Sequence, residues 1–257
     1  MGYRYLDRHV NENNLGRLME LLDLAAGAGS SANNTFELQK QLQQSKPMQL
    51  CEKRLASDPA SVALIAARHI APPYDMEALR ALPRSSLGHT FATVLGAINY
   101  DLDFYPKPGF YNDLASDADY ISYRIFATHD LHHILTGFSL DTFGELGVTT
   151  VSVAQASIPS FAFIDLFALM LTWFHTDTPL SETSDPLMQG RNVVQVCRTI
   201  SQGLEMGMAA KPLFPVLWEE RMEQDLEDLR RELGIEPVRD GLWSWYSNPA
   251  IAAAMAV

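Results

Sequence analysis

The stretch Asp117–Glu145, DADYISYRIFATHDLHHILTGFSLDTFGE, decides the fold. Asp117 to Leu135 reads as one helix carrying HDLHH, Thr136 to Ser139 as a Gly-containing break, and Asp141 to about Ser157 as a second helix. His129 and His133 are four apart, so their imidazoles leave one helical face about one turn apart and converge on a common point. Asp130 stands beside them. A chain that reverses at the break returns the Glu145 carboxylate over the two rings. Two imidazoles and two carboxylates make a mixed nitrogen and oxygen donor set, suited to zinc, iron or manganese and less naturally to magnesium.

The helical period continues on both sides. Leu15, Leu18, Leu21 and Leu22 form an apolar stripe, and Phe36 to Gln44 and Met48 to Ala56 read as short helices. Asp58 followed by Pro59 supplies an N-cap and a first-turn proline for a helix to about His69, ended by Pro72 and Pro73. Asp75 to Leu82 and Leu87 to Ile98 follow, then a loop opening with DLDFY from Asp101. Pro159 separates the Glu145 helix from the Phe161–Phe174 run. After a polar loop from His175 to Asp185, Asp185 and Pro186 repeat the N-cap signature ahead of a helix to about Ala210. One last long helix is predicted over Leu217–Leu233, with Trp218, Met222, Leu226, Leu229 and Leu233 on its inner face. A Glu227–Arg231 pair lies outside, and Gly234 is the stop. No segment alternates with period two. The expectation is an all-α single helical domain with a metal-binding helix and an apolar groove. Residues 1–71 would form an N-terminal helical segment packed on the core, 72–237 the core with the metal site, and 238–257 a C-terminal tail.

Composition narrows the functional classes. With 257 residues, 47% of them hydrophobic, the chain can bury a substantial core. A net charge of −12 with scattered Lys and Arg excludes a nucleic-acid partner, which needs clustered cations to displace counterions. It leaves open a local apolar face that docks on a membrane surface. Cys51 and Cys197 read as buried free thiols. The opening MGYRYLDRHVNENNLG shows neither a signal-peptide pattern nor an Arg-rich transit peptide, which points to a bacterial, cytoplasmic protein. The run Ser160–Phe174, SFAFIDLFALMLTWF, contains Asp165 and falls short of the ~20 residues of a spanning helix, so it reads as a buried core helix.

A lone histidine on an apolar helix is usually an ordinary core or surface group. Here three of the seven histidines fall within five positions, and Glu145 sits among Phe143, Gly144, Leu146, Gly147 and Val148. A carboxylate there is costly to bury unless it is paired or bound to a cation. His132, three residues after His129, reads as a group supporting the ligands or, more simply, as a solvated neighbour, the second being preferred. A zinc peptidase of the HExxH type is disfavoured, because Asp130 holds the place of the glutamate general base and is one methylene shorter. An HD-type phosphohydrolase needs further His and Asp ligands, and His69, His89 and Asp165 are not assignable to those roles.

Four ordered blocks carry a resemblance. The first is His129-Asp130-x-x-His133, eleven residues, then Glu145. Upstream lie LPRSSLGHTFATVL (Leu82–Leu95) and DLDF, which keeps Leu102 and Asp103, with Tyr120 and Arg124 ahead of the motif. Downstream lies AAKPLFPVLWEERMEQDLEDLRRELGI (Ala209–Ile235). Together they resemble the coenzyme Q (ubiquinone) biosynthesis protein 4 family over about Pro72 to Pro237. The first seventy residues and the tail with Trp243, Trp245 and Tyr246 have no counterpart in these blocks.

The resemblance implies a protein acting late in isoprenoid-quinone biosynthesis on a polyprenylated aromatic acid. It implies a divalent metal, zinc by family with iron, manganese or magnesium as other occupants, at His129, Asp130, His133 and Glu145. Two roles go with it: oxidative decarboxylation of the head group, and a non-catalytic lipid-binding scaffold for a quinone-biosynthesis complex. For decarboxylation the ion would act as a Lewis acid on the carboxylate and its neighbouring phenolic oxygen. Arg124, about 140° from His129 round the helix, is a candidate carboxylate partner that need not face the metal. No other catalytic residue is assigned. No Gly-rich strand-to-helix turn for a flavin or dinucleotide is present. For the tail, Val148, Val151, Phe163 and Phe167 are expected to line the apolar groove, with the helix ending near Ala210 closing its other side. Expected partners are a prenylated quinone precursor or isoprenoid lipid, other quinone-biosynthesis proteins, a second copy of the chain in a homodimer, and the inner-membrane surface as a peripheral site.

Overall fold

The structure, a computed structural model, describes residues 12–29, 31–100, 107–176 and 193–256. The readings that fall on the first eleven residues, on 101–105, on 177–185 and on the helix start at Asp185 and Pro186 lie outside them. In chain order the helices are α1 (Glu12–Gly27), α2 (Ala32–Leu42), α3 (Lys46–Leu55), α4 (Pro59–Ala67), α5 (Met76–Arg80) and α6 (Leu87–Ala97). Then come α7 (Asp117–Thr136), α8 (Thr142–Ala156), α9 (Pro159–Thr176), α10 (Val193–Ala209), α11 (Leu226–Leu233) and α12 (Pro249–Ala256). The described residues contain no strand, only two isolated bridges, so the fold is a single all-α domain.

Local chemistry sets the helix starts. The Asp58 carboxylate accepts from the Ser61 amide at 2.8 Å with Pro59 in the first turn of α4. Ser116 and Asp119 form a reciprocal capping box at the head of α7, and Asp141 accepts from the Phe143 and Gly144 amides at the head of α8.

α7 is the spine. Its Leu131, Ile134 and Leu135 enter the larger core with Phe91, Val148, Leu229 and Trp245, whereas Tyr120, Ile121, Ile125 and Phe126 enter a second core with Phe36, Met48, Tyr111 and Phe161. A helix flanked on both sides by core has to bury nearly all its faces, polar groups included. Those polar groups then need partners inside the protein.

The single helix expected over Leu217–Leu233 is broken. A 3₁₀ turn covers Trp218–Glu220, and the chain then pairs with the segment ahead of α6 before α11 begins. The Leu87 amide donates to Gln224 O, Gly88 to Met222 O and Leu226 to Ser85 O, each at 2.8 Å. Trp218, Met222, Leu226, Leu229 and Leu233 are all buried, so the apolar spacing was read correctly as burial but not as one helix. Asp225, accepting from the Glu227 and Asp228 amides, restarts the helix. The expected Glu227–Arg231 pair is replaced as well. Glu227 binds Arg230 at 2.6 Å and Arg239 at 2.7 Å, and Arg231 turns to Asp228. Cys51 is buried and its thiol is pushed up to about 12 by burial, but Cys197 is exposed, contrary to expectation.

The Ser160–Phe174 run lies within α9 and is not wholly interior, since Leu166 and Met170 face outward at 59% and 39% exposure. No described helix is long and apolar enough to cross a membrane.

Candidate metal centre

α7 presents His129 and His133 one turn apart, and the chain reverses to bring Glu145 to them. Two glycines permit that reversal. Gly137 ends α7 with φ +81°, a left-handed conformation that a side chain disfavours, and its amide caps His133 O at 3.0 Å. At Gly144 a Cβ would collide with the Ser139 backbone, so only glycine lets the first turn of α8 lie this close to the break.

The result is a tight cluster. His129 Nε2 lies 2.8 Å from Glu145 Oε2, His133 Nε2 lies 3.3 Å from Glu145 Oε1, and the two Nε2 atoms are 3.1 Å apart. Asp130 offers a carboxylate oxygen within 4.8 Å of both histidine nitrogens, and the Tyr100 hydroxyl donates to its Oδ1 at 3.1 Å. The structure thus brings Glu145 to both histidines, and Asp130 within 4.8 Å of the same two residues. His133 is fully buried, the His129 side chain is 12% exposed and that of Glu145 is 41% exposed, so the cluster opens to solvent on the Glu145 side.

These separations are what a small cation requires. Tetrahedral ligands at ~2.0–2.1 Å from zinc stand about 3.3 Å from one another. The buried Nδ1 of His133 faces the Phe138 carbonyl at 3.2 Å, which favours the tautomer with the proton on Nδ1 and the lone pair on Nε2, toward the cluster. The electrostatics point the same way. Burial raises the Glu145 carboxyl, but the two imidazoles outweigh it and hold the group well below the usual carboxylate range. Burial opposes charge on His133, yet the charge and hydrogen bond of Glu145, then Asp130 and the Phe138 carbonyl, raise it. The donor set fits a divalent cation.

Other expected residues lie elsewhere. Arg124 is buried on the far side of α7, donating to the carbonyls of Phe214 at 3.3 Å and Val216 at 2.5 Å, so it tethers that segment and does not reach the cluster. His132 is not solvated: it is 6% exposed, packs against Trp218 at 5.8 Å between centroids and is pushed down to about 3, chiefly by burial. Val148 and Val151 point into the larger core, whereas Phe163 and Phe167 pack against Leu21, Ala25 and Leu38. The two pairs do not line one groove. α10 cannot close a groove against α8 either, because Gly203 and Gly207 press on Gly147, Thr150, Val151 and Ala154. The apolar wall beside the cluster is Phe161, whose ring lies 5.5 Å from His129 and 5.4 Å from Phe126.

Sequence reasoning missed three contributors: the Tyr100 hydroxyl, the Phe138 carbonyl, and the C-terminal tail. The tail, together with Arg230 of α11, satisfies the end of α7. Val238 N donates to Thr136 O at 2.8 Å, Trp245 Nε1 to His133 O at 3.0 Å, and Arg230 to Ile134 O and Leu135 O at 2.6 and 2.8 Å. A partner carbonyl carries no sequence signature, so none of these was readable.

An all-α fold whose buried helix carries His-Asp-x-x-His, answered by a glutamate from the next helix, defines a class of helical proteins with a mixed imidazole and carboxylate cluster. Within it the chain belongs to the family described as Coenzyme Q (ubiquinone) biosynthesis protein Coq4, whose sequence profile matches residues 42–239. The match takes in residues 42–71, which the motif blocks leave outside. The mitochondrial ubiquinone biosynthesis protein COQ4 of Eremothecium gossypii is 34% identical over 164 residues, 64% of this chain and 46% of that protein. The mitochondrial COQ4 homolog of Aedes aegypti is 28% identical over 168 residues, 64% of this chain and 54% of its own length. The chain therefore spans about half the length of the curated relatives it matches. A crystal structure of a provisionally described ubiquinone biosynthesis protein from Nostoc punctiforme has the same fold, with a TM-score of 0.70 at 24% identity, covering 87% of this chain and 98% of that one.

Proposed function

We propose that this protein is a metal-dependent member of an isoprenoid-quinone pathway that binds a polyprenylated aromatic acid and removes its ring carboxyl oxidatively. The observation that carries the reading is the meeting of His129 Nε2, His133 Nε2 and the Glu145 carboxylate within 3.3 Å of one another, half open to solvent at Glu145. His129, His133 and Glu145 would hold the ion, zinc by family, with Asp130 beside them. A bound cation supplies Lewis acidity toward the substrate carboxylate and adjacent phenolic oxygen.

The chain's own groups hold the cluster in shape and orient the acid. His133 is held by the Phe138 carbonyl, Asp130 by Tyr100, and the ring of Phe161 offers an apolar edge to the substrate. Replacing a ring carboxyl by a hydroxyl releases carbon dioxide and is a two-electron oxidation: with water supplying the hydroxyl oxygen, molecular oxygen accepts the electron pair and leaves as hydrogen peroxide. The prenyl tail, other pathway proteins, a homodimer and a membrane surface belong to this reading as partners. The division into an N-terminal segment 1–71, a core 72–237 and a tail 238–257 is kept as part of it.

The test incubates metal-loaded protein under air with a prenylated 4-hydroxybenzoate-type acid labelled in its carboxyl carbon. Release of labelled carbon dioxide is expected. Tight binding with no turnover would favour the second reading, a non-catalytic lipid-binding scaffold, which the part-exposed carboxylate and adjacent phenyl ring serve equally well.

A further inference from the structure

The tail segment Trp243–Trp245 supplies no ligand to the cluster, yet it is bonded to the turn that ends α7. The Ser139 amide donates to Trp243 O at 2.9 Å, the Trp245 amide donates to Gly137 O at 3.0 Å, and Phe138 pairs antiparallel with Ser244. The peptide units on both sides of Phe138 are therefore fixed. Its carbonyl in turn holds Nδ1 of His133 at 3.2 Å. His133 is fully buried, so without that carbonyl a proton on Nδ1 would have no partner, and the tautomer with the proton on Nε2, which faces Glu145 Oε1 at 3.3 Å, would be favoured.

Trp245 reaches the same residue by a second route. Its indole Nε1–H donates to the His133 carbonyl at 3.0 Å, although that carbonyl is already capped by the Gly137 amide at 3.0 Å. The indole bond is thus surplus to helix capping and falls on the ligand-bearing residue. The ring is locked in place: it is 2% exposed and stacks on Tyr246 at 3.7 Å, whose hydroxyl accepts from Arg230 at 2.7 Å.

We infer that the segment Trp243–Trp245 positions the metal centre, with Trp245 as a positioning residue that fixes the backbone of His133 while the segment fixes the Phe138 carbonyl that sets its tautomer. The inference rests on His129, His133 and Glu145 being metal ligands. Outer contacts of this kind hold a ligand's ring orientation and basicity, and their loss weakens metal binding without touching a ligand.

The molecule contains its own control. Trp218 is 1% exposed, sits in the same core as Trp245, and its Nε1 has no hydrogen-bond partner. Trp218→Phe and Trp245→Phe remove the same atoms from that core, but only the second removes a bond to His133. Cobalt(II) is titrated into the full-length wild type and both variants, following the visible absorption of the bound ion, with circular dichroism as the check on folding. Trp245→Phe is expected to weaken cobalt binding about 10–100-fold and alter the absorption band, with Trp218→Phe within about threefold of wild type. Wild-type affinity in Trp245→Phe, or equal losses in the two variants, would overturn the inference. A wild type that binds no cobalt would instead sink the metal reading on which it rests. Should Trp245→Phe not fold, indole hydrogen exchange in the wild type decides: zinc is expected to slow exchange at Trp245 and not at Trp218, and unchanged exchange at Trp245 overturns the inference.

Discussion

At the head of α7 the Ser116 hydroxyl accepts from the Asp119 amide at 3.1 Å, and the Asp119 carboxylate accepts from the Ser116 amide at 3.0 Å. At its other end the partners of the last carbonyls, Arg230 and Trp245, lie 95 to 112 residues further along the chain. The first arrangement is local, and the sequence beside it suffices. The second needs the whole fold, and it is the end that carries His133. The helix is thus started by cheap, replaceable chemistry and finished by a tertiary clamp at the point where ligand geometry matters.

The sharpest way to break this contrast is Arg230→Ala. Arg230 is 1% exposed and its guanidinium serves two carbonyls, Glu227 and Tyr246. Its removal should cost about 3–5 kcal/mol of unfolding free energy in urea denaturation, because buried acceptors and an ion-pair partner are left behind. Loss of under about 1 kcal/mol would mean that the clamp is ornamental.

Next comes Gly137→Ala, which forces a side chain into the left-handed region and into the Val238 backbone. A loss of about 2–4 kcal/mol is expected by thermal or chemical melting.

Asp165 extends the contrast to the helix that returns Glu145. Its carboxylate lies 2.8 Å from Thr149 Oγ1 and 3.0 Å from Thr150 Oγ1, and burial raises it to about 7, the two hydroxyls pulling only partly back. The folded protein then holds a proton that the unfolded chain has lost. Stability from this group is fully present below the ordinary Asp range and falls as pH rises toward 7, by about 1.4 kcal/mol per unit within that window. Asp165→Asn should lack this slope in denaturation curves taken from pH 4 to 8, and an identical slope would refute the assignment.

The smallest effect belongs to the local end. Ser116→Ala should cost about 1 kcal/mol and leave metal affinity unchanged by isothermal titration.

The same contrast explains what was legible beforehand. His129, His133 and Glu145 were readable because a helical step and a glycine break are local facts, whereas the Arg230 and Trp245 contacts that fix the same turn are not. The reading of Leu217–Leu233 as one helix failed because burial of Trp218, Met222 and Leu226 is achieved by pairing with Ser85–Gly88, which apolar spacing does not encode. Val148 and Phe163 look alike in sequence but face different clusters, because Val148 lies on α8 in the larger core whereas Phe163 lies on α9, which packs on Leu21 and Ala25 of α1 and Leu38 of α2. His132 was taken for a solvated group because the Trp218 ring that covers it lies far along the chain.

The most direct test of the central claim is metal content. Wild type and His133→Ala, both checked for helical content, are dialysed against zinc and then buffer and analysed by mass spectrometry of the elements. About one ion per chain in the wild type and less than about a tenth of that in His133→Ala is the predicted result. Equal metal in the two proteins would contradict the account.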